Sequence, residues 1–117
     1  MRKALLASIL FAMSVFGADF TGNWSGEGLS DGESHPLFFV MKQDGNTLTG
    51  SGGPNADEQH PMQNGKVDGE KVVFDVPAGK GVLHFELSAD GEALKGTVQI
   101  RSDEGTRSGT VSLKRAS

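Results

Sequence analysis

Histidine and carboxylate side chains are the residues of this chain whose types could bind a metal ion. His35 and His60 each precede a proline, His84 lies further along the chain, and Asp57 and Glu58 lie close to His60. Neutral imidazole and carboxylate oxygen are common ligands for zinc and copper. Their spacing matches no metal-binding motif, so we expect all three histidines to be solvent-exposed surface residues, with no metal and no cofactor.

Catalysis would have to depend on residues in the predicted loops. No nucleophile-histidine-acid arrangement, phosphate-binding loop or recognisably spaced carboxylate pair occurs in the sequence. The inward positions at the middle of the predicted strands contain no Asp, Glu, His, Ser or Cys, so a buried acid-base pair or activated nucleophile has no position there. We therefore expect a protein that is not an enzyme. The loop residues that remain are Asp31, Glu33, His35, Asp57, Glu58 and His60.

A repeated turn pattern organises the chain that carries these residues. The pattern Asp-Gly-x-x-Leu-x-Gly occurs at 44–50 and again at 90–96, each time after an alternating apolar run, and a third Asp-Gly occupies 68–69. Asp-Gly between alternating runs is typical of a tight β-hairpin. The pair Asn64-Gly65 is an equally good turn signal, but the spacing favours Asp68-Gly69 as the turn and Gly65 as a β-bulge.

The fold class predicted from this pattern is all-β. Seventeen glycines, four prolines and the near absence of a helical apolar period indicate short strands joined by many turns. We expect an eight-stranded antiparallel up-and-down meander closed into a small barrel, with a two-sheet β-sandwich as the alternative. The predicted strands are 20–28, 37–43, 46–52, 61–67, 70–77, 82–89, 93–101 and 107–115.

Alternation along these strands predicts which side chains face the interior. Lys42, Thr47, His84, Glu86, Lys95, Gln99, Arg101 and Lys114 are expected to face outward. The inward set is Phe20, Trp24, Leu37, Phe39, Met41, Leu48, Val67, Val72, Phe74, Val76, Leu83, Phe85, Leu87, Leu94, Val98, Ile100, Val111 and Leu113. An eight-stranded barrel has room for filling side chains or for one small ligand. The predicted ligand-binding residues are Phe39, Met41, Phe74, Phe85 and Leu87.

The two ends of the predicted barrel differ. The three Asp-Gly turns fall at one end, which is therefore closed by tight turns. The connections 29–36, 53–60, 78–81 and 102–106 fall at the other end, and the first two are expected to be long loops. A binding site is then expected opposite the Asp-Gly turns, among 29–36, 53–60 and 78–81.

The motif Gly22-Asn23-Trp24 on the first strand resembles the Gly-x-Trp signature of the calycins, which include the lipocalins and avidins. In that superfamily the Trp closes the narrow end of the barrel and an Arg from the last strand packs across it. The resemblance implies that Arg115 lies against Trp24 as a structural closed-end pair. A cation–π contact of this kind contributes about 0.5–2 kcal/mol.

A more local resemblance to avidins covers the first third of the chain after its N-terminal segment. Gly22 to Trp24 and then Asp44 to Gly50 follow the avidin order of Gly-x-Trp and Asp-Gly-x-Leu-Thr-Gly. The chain contains no Tyr and only one Trp, whereas avidins stack biotin among several aromatic rings. We therefore expect the resemblance to extend to the fold and not to biotin.

Two further surface and interior features have alternative explanations. Phe38 and Val40 face outward on the second strand, and they are either isolated exposed apolar residues or a contact for homo-oligomerisation. Inward glycines such as Gly50 and Gly96 either leave space for a ligand or allow neighbouring strands to approach closely.

The N-terminal residues are predicted to be a secretory signal peptide over 1–17, followed by a single β-barrel domain over 18–117. Arg2 and Lys3 precede an apolar stretch that is too short to span a bilayer. Without those two cations, nine of the eleven basic residues remain against fifteen acidic ones, a net charge of −6. This charge disfavours nucleic acid as a partner. The chain is therefore expected to be secreted or periplasmic, with no membrane span.

Together these features favour a lipocalin-like, non-catalytic binding protein for a small hydrophobic or amphipathic ligand. The alternative is a protein-interaction or inhibitor module whose barrel core is filled. No cysteine is present, so either form must be stable without disulfides.

Overall fold

In a computed structural model, the chain is described over residues 19–116, and these residues form strands and turns only. The predicted signal peptide, 1–17, lies outside the described residues. The strands are β1 (Gly22–Ser30), β2 (Glu33–Asp44), β3 (Thr47–Gly53), β4 (His60–Pro61), β5 (Gln63–Asp68), β6 (Lys71–Ala78), β7 (Gly81–Asp90), β8 (Ala93–Ser102) and β9 (Gly105–Ala116).

Antiparallel pairing between neighbouring strands closes the sheet on itself. β1 pairs with β2 on one side and with β9 on the other, while β2 pairs with β3. β5 and the two-residue β4 both pair with β3, and β5, β6, β7, β8 and β9 follow in order. The predicted fold class is confirmed: eight antiparallel strands form a closed meander barrel, with β4 as an additional short strand.

The fourth predicted strand, 61–67, is interrupted in the structure. Asn64 has a φ of 56°, and the register between β5 and β6 shifts between Gln63 and Lys66. The Leu48 carbonyl oxygen lies 2.1 Å from the position that a Cβ on Gly65 would occupy, so only glycine allows β3 to approach there. The bulge predicted at Gly65 is therefore confirmed, and Asp68 pairs with Lys71 across the turn.

The long loop predicted over 29–36 is wrong. β1 and β2 continue as a hairpin to Ser30 and Glu33, which pair across a two-residue turn. Asp31 and Gly32 form that turn with φ values of 53° and 79°, and two successive positive φ values are the requirement of a type I′ turn. This fourth Asp-Gly lies at the opposite end from the other three. The longest connection among the described residues is 54–59, between β3 and β4.

The barrel interior contains an aromatic cluster of Phe39, Phe74 and Phe85. The rings of Phe74 and Phe85 stack with centroids 5.0 Å apart, and the ring of Phe39 packs edge-on against both, at 5.4 and 5.1 Å. All three side chains are at most 1% exposed. Each such burial contributes about 1.5–3 kcal/mol, and each ring pair adds about 0.5–1.5 kcal/mol.

The predicted inward set agrees with the observed core except at one end. Leu37, Leu83 and Ile100 are only partly buried, because they lie where the barrel opens. Met62, in the break between β4 and β5, is buried although the sequence analysis did not include it. Its backbone N–H donates to the Gly50 carbonyl oxygen at 2.8 Å, which turns the side chain into the core.

The inward glycines allow neighbouring strands to approach closely. A Cβ on Gly50 would lie 1.9 Å from the Val40 carbonyl oxygen, and one on Gly96 would lie 2.0 Å from that of Glu86. Both positions face backbone of the adjacent strand. Of the two explanations for these glycines, the structure supports close backbone approach at Gly50 and Gly96.

We expect Gly96→Ala to lower the free energy of unfolding by about 1–3 kcal/mol, because the new methyl group collides with backbone that cannot rotate away. Gly28→Ala is the matched control. The nearest atom to its Cβ would be Leu37 Cδ1 at 3.2 Å, and the nearest backbone atom, the Thr110 carbonyl oxygen, would lie at an ordinary contact distance of 3.6 Å, so this change should cost much less. Urea unfolding of both variants measures the difference. Equal losses would show that close strand approach at Gly96 is not the constraint.

Candidate functional site

The open end of the barrel contains an apolar recess of about 210 Å³. It lies between β2, β3 and β4 on one side and β6 and β7 on the other, and loop 54–59 borders it. We call it the larger recess. It is lined by Pro36, Leu37, Phe39, Gly52, Gly53, Pro54, Glu58, His60, Val76, Ala78, Leu83 and Phe85.

A second recess, of about 150 Å³, lies on the other side of the same opening. It is enclosed by β1 and β2 on one side and by β7 and β8 on the other. We call it the smaller recess. It is lined by Gly28, Leu29, Ser30, His35, Leu37, Leu83, Phe85, Val98 and Ile100.

Three side chains line both recesses and separate them: Leu37, Leu83 and Phe85, which we call the dividing wall. Leu37 belongs to β2 and the other two to β7. In the closed order of strands, β2 and β7 lie opposite each other, four steps apart in either direction. The ring of Phe39 on β2 nevertheless lies 5.1 Å from that of Phe85 on β7, so these two walls meet across the interior.

The five predicted ligand-binding residues occupy two depths. Phe39 and Phe85 reach the recesses. Met41, Phe74 and Leu87 lie deeper, at most 2% exposed, and they line neither recess. The middle of the barrel is therefore filled by side chains, and the space accessible from the open end stops at the aromatic cluster.

Sequence reasoning placed Leu37, Leu83 and Ile100 in the core but did not select them as site residues. The structure shows that they line the recesses and are only partly buried. Their position at the loop-rich ends of their strands was the signal that distinguished them from deeper inward residues. The recesses draw on residues from all three ranges that the sequence analysis selected, 29–36, 53–60 and 78–81.

Few polar groups reach the recesses. Glu58 and His60 border the larger recess, and Ser30 and His35 border the smaller one. Ser51, on β3, holds the adjoining loop through its hydroxyl, which donates to the Gln59 side chain at 2.7 Å. Gln59 in turn donates to the carbonyl oxygen of Phe38 at 3.1 Å. The loop that borders the larger recess is thus tied to two strands.

At the opposite end, the Arg115 guanidinium lies over the indole of Trp24, with Cζ 4.5 Å from the ring centroid. It donates to the carbonyl oxygens of Thr21, at 2.8 Å, and of Asp19. The indole N–H donates to the Phe20 carbonyl oxygen at 2.9 Å. These contacts join the start of β1 to the end of β9 and close this end of the barrel.

A hollow of about 720 Å³ lies outside that closure. Its lining combines charged side chains, among them Asp90, Glu92 and Lys114, with Phe20 and Trp24. Phe20 and Trp24 are 1% and 3% exposed, so they separate this hollow from the barrel core. The mixed polar surface and the absence of a path inward make it a weaker candidate than the apolar mouth.

His84 is not the solvent-exposed residue that the sequence analysis predicted, because its side chain is only 21% exposed. On the outer wall, its Nδ1 lies 2.6 Å from Asp75 Oδ1 and its Nε2 lies 3.1 Å from Glu86 Oε2. The hydrogen bond to Asp75 raises the pKa of His84, with a further contribution from Glu86. Burial opposes the ionisation of Asp75, but its hydrogen bonds to His84 and Asn64 outweigh burial and lower its pKa.

The two ring nitrogens of His84 face different carboxylates, so the three groups do not converge on one point. Within residues 19–116, no group of three or more His, Asp or Glu side chains is arranged to hold a metal ion. His35 is 59% exposed, with Nε2 3.8 Å from Glu33 Oε1. No helix in the same part of the chain is long and apolar enough to cross a bilayer.

Phe38 and Val40 lie on the outer face of β2. Val40 is 39% exposed and Phe38 is partly buried. Their neighbours across the sheet are Ser25 and Asn23 on β1 and Gly53 and Ser51 on β3. The apolar surface is therefore narrow and flanked by small or polar residues.

The fold and the site define a class of protein: a small closed β-barrel with a filled centre and a divided apolar mouth. Comparison with protein-family models, with curated proteins and with solved structures finds no match to this chain. The geometry therefore has to carry any functional conclusion.

The His84 contacts predict a pH dependence of stability. The pKa of His84 is raised in the fold. Its contribution to the free energy of unfolding is therefore complete below the unfolded pKa of about 6.5, and it is lost as pH rises through the folded pKa. The pKa of Asp75 is lowered in the fold. Asp75 therefore contributes to the free energy of unfolding above about pH 4, and this contribution is lost as pH falls further. We expect His84→Gln to lower the free energy of unfolding by about 1 kcal/mol at pH 5.5 and by clearly less at pH 9.

Urea unfolding of wild type and His84→Gln at both pH values measures this difference. His35→Gln is the matched control, since that histidine is more exposed and its contact with Glu33 is longer. A loss for His84→Gln that is the same at both pH values would contradict an ionic role for His84.

Proposed function

We propose that this protein is a non-catalytic, lipocalin-like binding protein for a small hydrophobic or amphipathic molecule, which it holds at the open mouth of the barrel. The observation that carries the proposal is the pair of apolar recesses at the end opposite Trp24 and Arg115. Apolar surface at a concave opening is the usual property of a small-molecule site. A secreted or periplasmic location, after removal of residues 1–17, is part of the proposal.

The apolar walls supply the binding energy in this proposal. Leu37, Leu83 and Ile100 are partly exposed to water at the mouth, and a ligand would remove that surface from water at a gain of about 25 cal/mol per Å². The aromatic cluster below provides a rigid floor, so little ordering of the protein is needed on binding. Glu58, His60 and His35 are placed to contact the polar part of an amphipathic ligand.

The lining of the recesses supports a non-catalytic role. Within the described chain, the core contains no buried polar or charged side chain. Ser30 and His35 line the smaller recess, and Glu58 and His60 line the larger one. Ser30 pairs with Glu33 and His35 pairs with Gly28 in the β1–β2 hairpin, so the two are not cross-strand partners. In this proposal these groups orient a ligand and do not act as a nucleophile and its base.

We expect wild-type protein to bind an apolar, environment-sensitive dye saturably, and Ala78→Lys to weaken that binding at least about tenfold. Ala78 lines the larger recess, and an ammonium group there must lose hydration when an apolar ligand enters. Val82→Lys is the matched control, because Val82 is close along the barrel but lines neither recess. Dye fluorescence is the readout, since Trp24 lies at the far end of the barrel.

Native mass spectrometry of the purified protein tests the same proposal without a dye. A bare mass together with no saturable dye response would contradict ligand binding. Equal weakening by Ala78→Lys and Val82→Lys would show that the dye binds outside the mouth.

The second candidate function is a protein-interaction or inhibitor module with a filled core. It is favoured by the exposure of Val40 beside Phe38 on the wall of β2. If this surface joins copies of the chain, sedimentation of the wild type should show a dimer that Val40→Lys converts to a monomer. A monomeric wild type over the accessible concentration range would leave loop-mediated contact with another protein as the form of this candidate.

A further inference from the structure

The mouth of the barrel is divided, and this division limits what it can hold. The larger and smaller recesses measure about 210 and 150 Å³, whereas a drug-sized ligand occupies a pocket of about 300–1,000 Å³. With roughly 30 Å³ for a water-sized group, the recesses correspond to about seven and five non-hydrogen atoms. Neither recess alone accommodates a long lipid chain.

The depth of the recesses also limits the length of ligand that they can hold. A chain that entered the larger recess would meet Phe39 and Phe85, which pack against Phe74 with centroids 5.0–5.4 Å apart. These side chains are at most 1% exposed, so the barrel offers no apolar path below them. Any further length of the ligand must turn back into water at the mouth.

Leu37 and Leu83 make the division from opposite sides of the barrel. Leu37 stands on β2 two residues before Phe39, and Leu83 stands on β7 two residues before Phe85, so each lies one inward position closer to the opening. Both line both recesses and both remain partly buried. They therefore stand between the aromatic cluster and the opening, one on each of the two strands that meet at Phe39 and Phe85.

We propose that Leu37 and Leu83 determine ligand size, so that the protein selects a short apolar group of about five to seven non-hydrogen atoms, such as a short acyl chain or a single ring, and excludes long-chain lipids. This inference rests on the proposed function and specifies the ligand class for the same site. Removing either leucine side chain joins the two recesses above Phe85 and extends the space available to one chain.

The test uses straight-chain primary alcohols of four to twelve carbons as probes, with binding measured by displacement of the fluorescent dye. For the wild type, affinity should rise roughly fourfold for each added carbon while the chain stays inside a recess. It should stop rising at about seven carbons. For Leu83→Ala, the rise should continue to about ten carbons, giving at least a tenfold gain for the ten-carbon probe relative to the wild type.

Val82→Ala is the matched control, since it removes a neighbouring apolar side chain that lines neither recess, and it should retain the wild-type limit. Leu37→Ala repeats the test from β2 in case Leu83→Ala does not fold, and thermal unfolding establishes which variants are folded. A wild-type affinity that keeps rising to twelve carbons would overturn the size limit while supporting ligand binding. Failure of every probe to bind wild type and both leucine variants would overturn the proposed function as well.

Discussion

The contact of β2 with β7 across the interior is the interaction on which the rest of this barrel depends. These strands are opposite in the closed sheet, yet Phe39 on one packs edge-on against Phe85 on the other at 5.1 Å, with Phe74 completing the cluster. Three rings in this arrangement fill the centre with well-oriented apolar contacts. They also determine how deep the mouth is and, through Leu37 and Leu83 above them, that it is divided.

Filling the centre with side chains suits a chain that has no cysteine. Small domains often rely on disulfides or metal ions because their cores are small. In this protein, the closed sheet pairs the strand edges with one another, and the core of the described chain is entirely apolar. Glycines at positions such as Gly50 and Gly96 contribute by letting neighbouring strands approach closely.

The two ends of the barrel differ in how their side chains are covered. At the end with three Asp-Gly turns, Arg115 covers Trp24 and binds backbone carbonyls of the residues that precede β1. At the other end, leucine and isoleucine side chains of the core remain partly in contact with water. Partly exposed apolar side chains around a concave opening lower the stability of the fold, and under the proposed function a ligand would cover them.

Alternation of apolar residues and the placement of Asp-Gly turns determined most of the fold from the sequence alone. Strand parity identified the core, because successive side chains face opposite sides of a strand. The repeat at 44–50 and 90–96 indicated which end is closed, and Gly65 was correctly read as a bulge. These signals are local, so they are visible without knowledge of the rest of the molecule.

Features that depend on distant residues were decided only by the tertiary structure. The turn at Asp31-Gly32 was predicted as part of a loop over 29–36, whereas pairing between β1 and β2 extends the hairpin to Ser30 and Glu33. His84 meets Asp75 only because β6 and β7 pair in one register. The divided mouth requires β2 and β7 to meet across the barrel. Phe39 and Phe85, which make that contact, are 46 residues apart in the chain, so no local pattern encodes it.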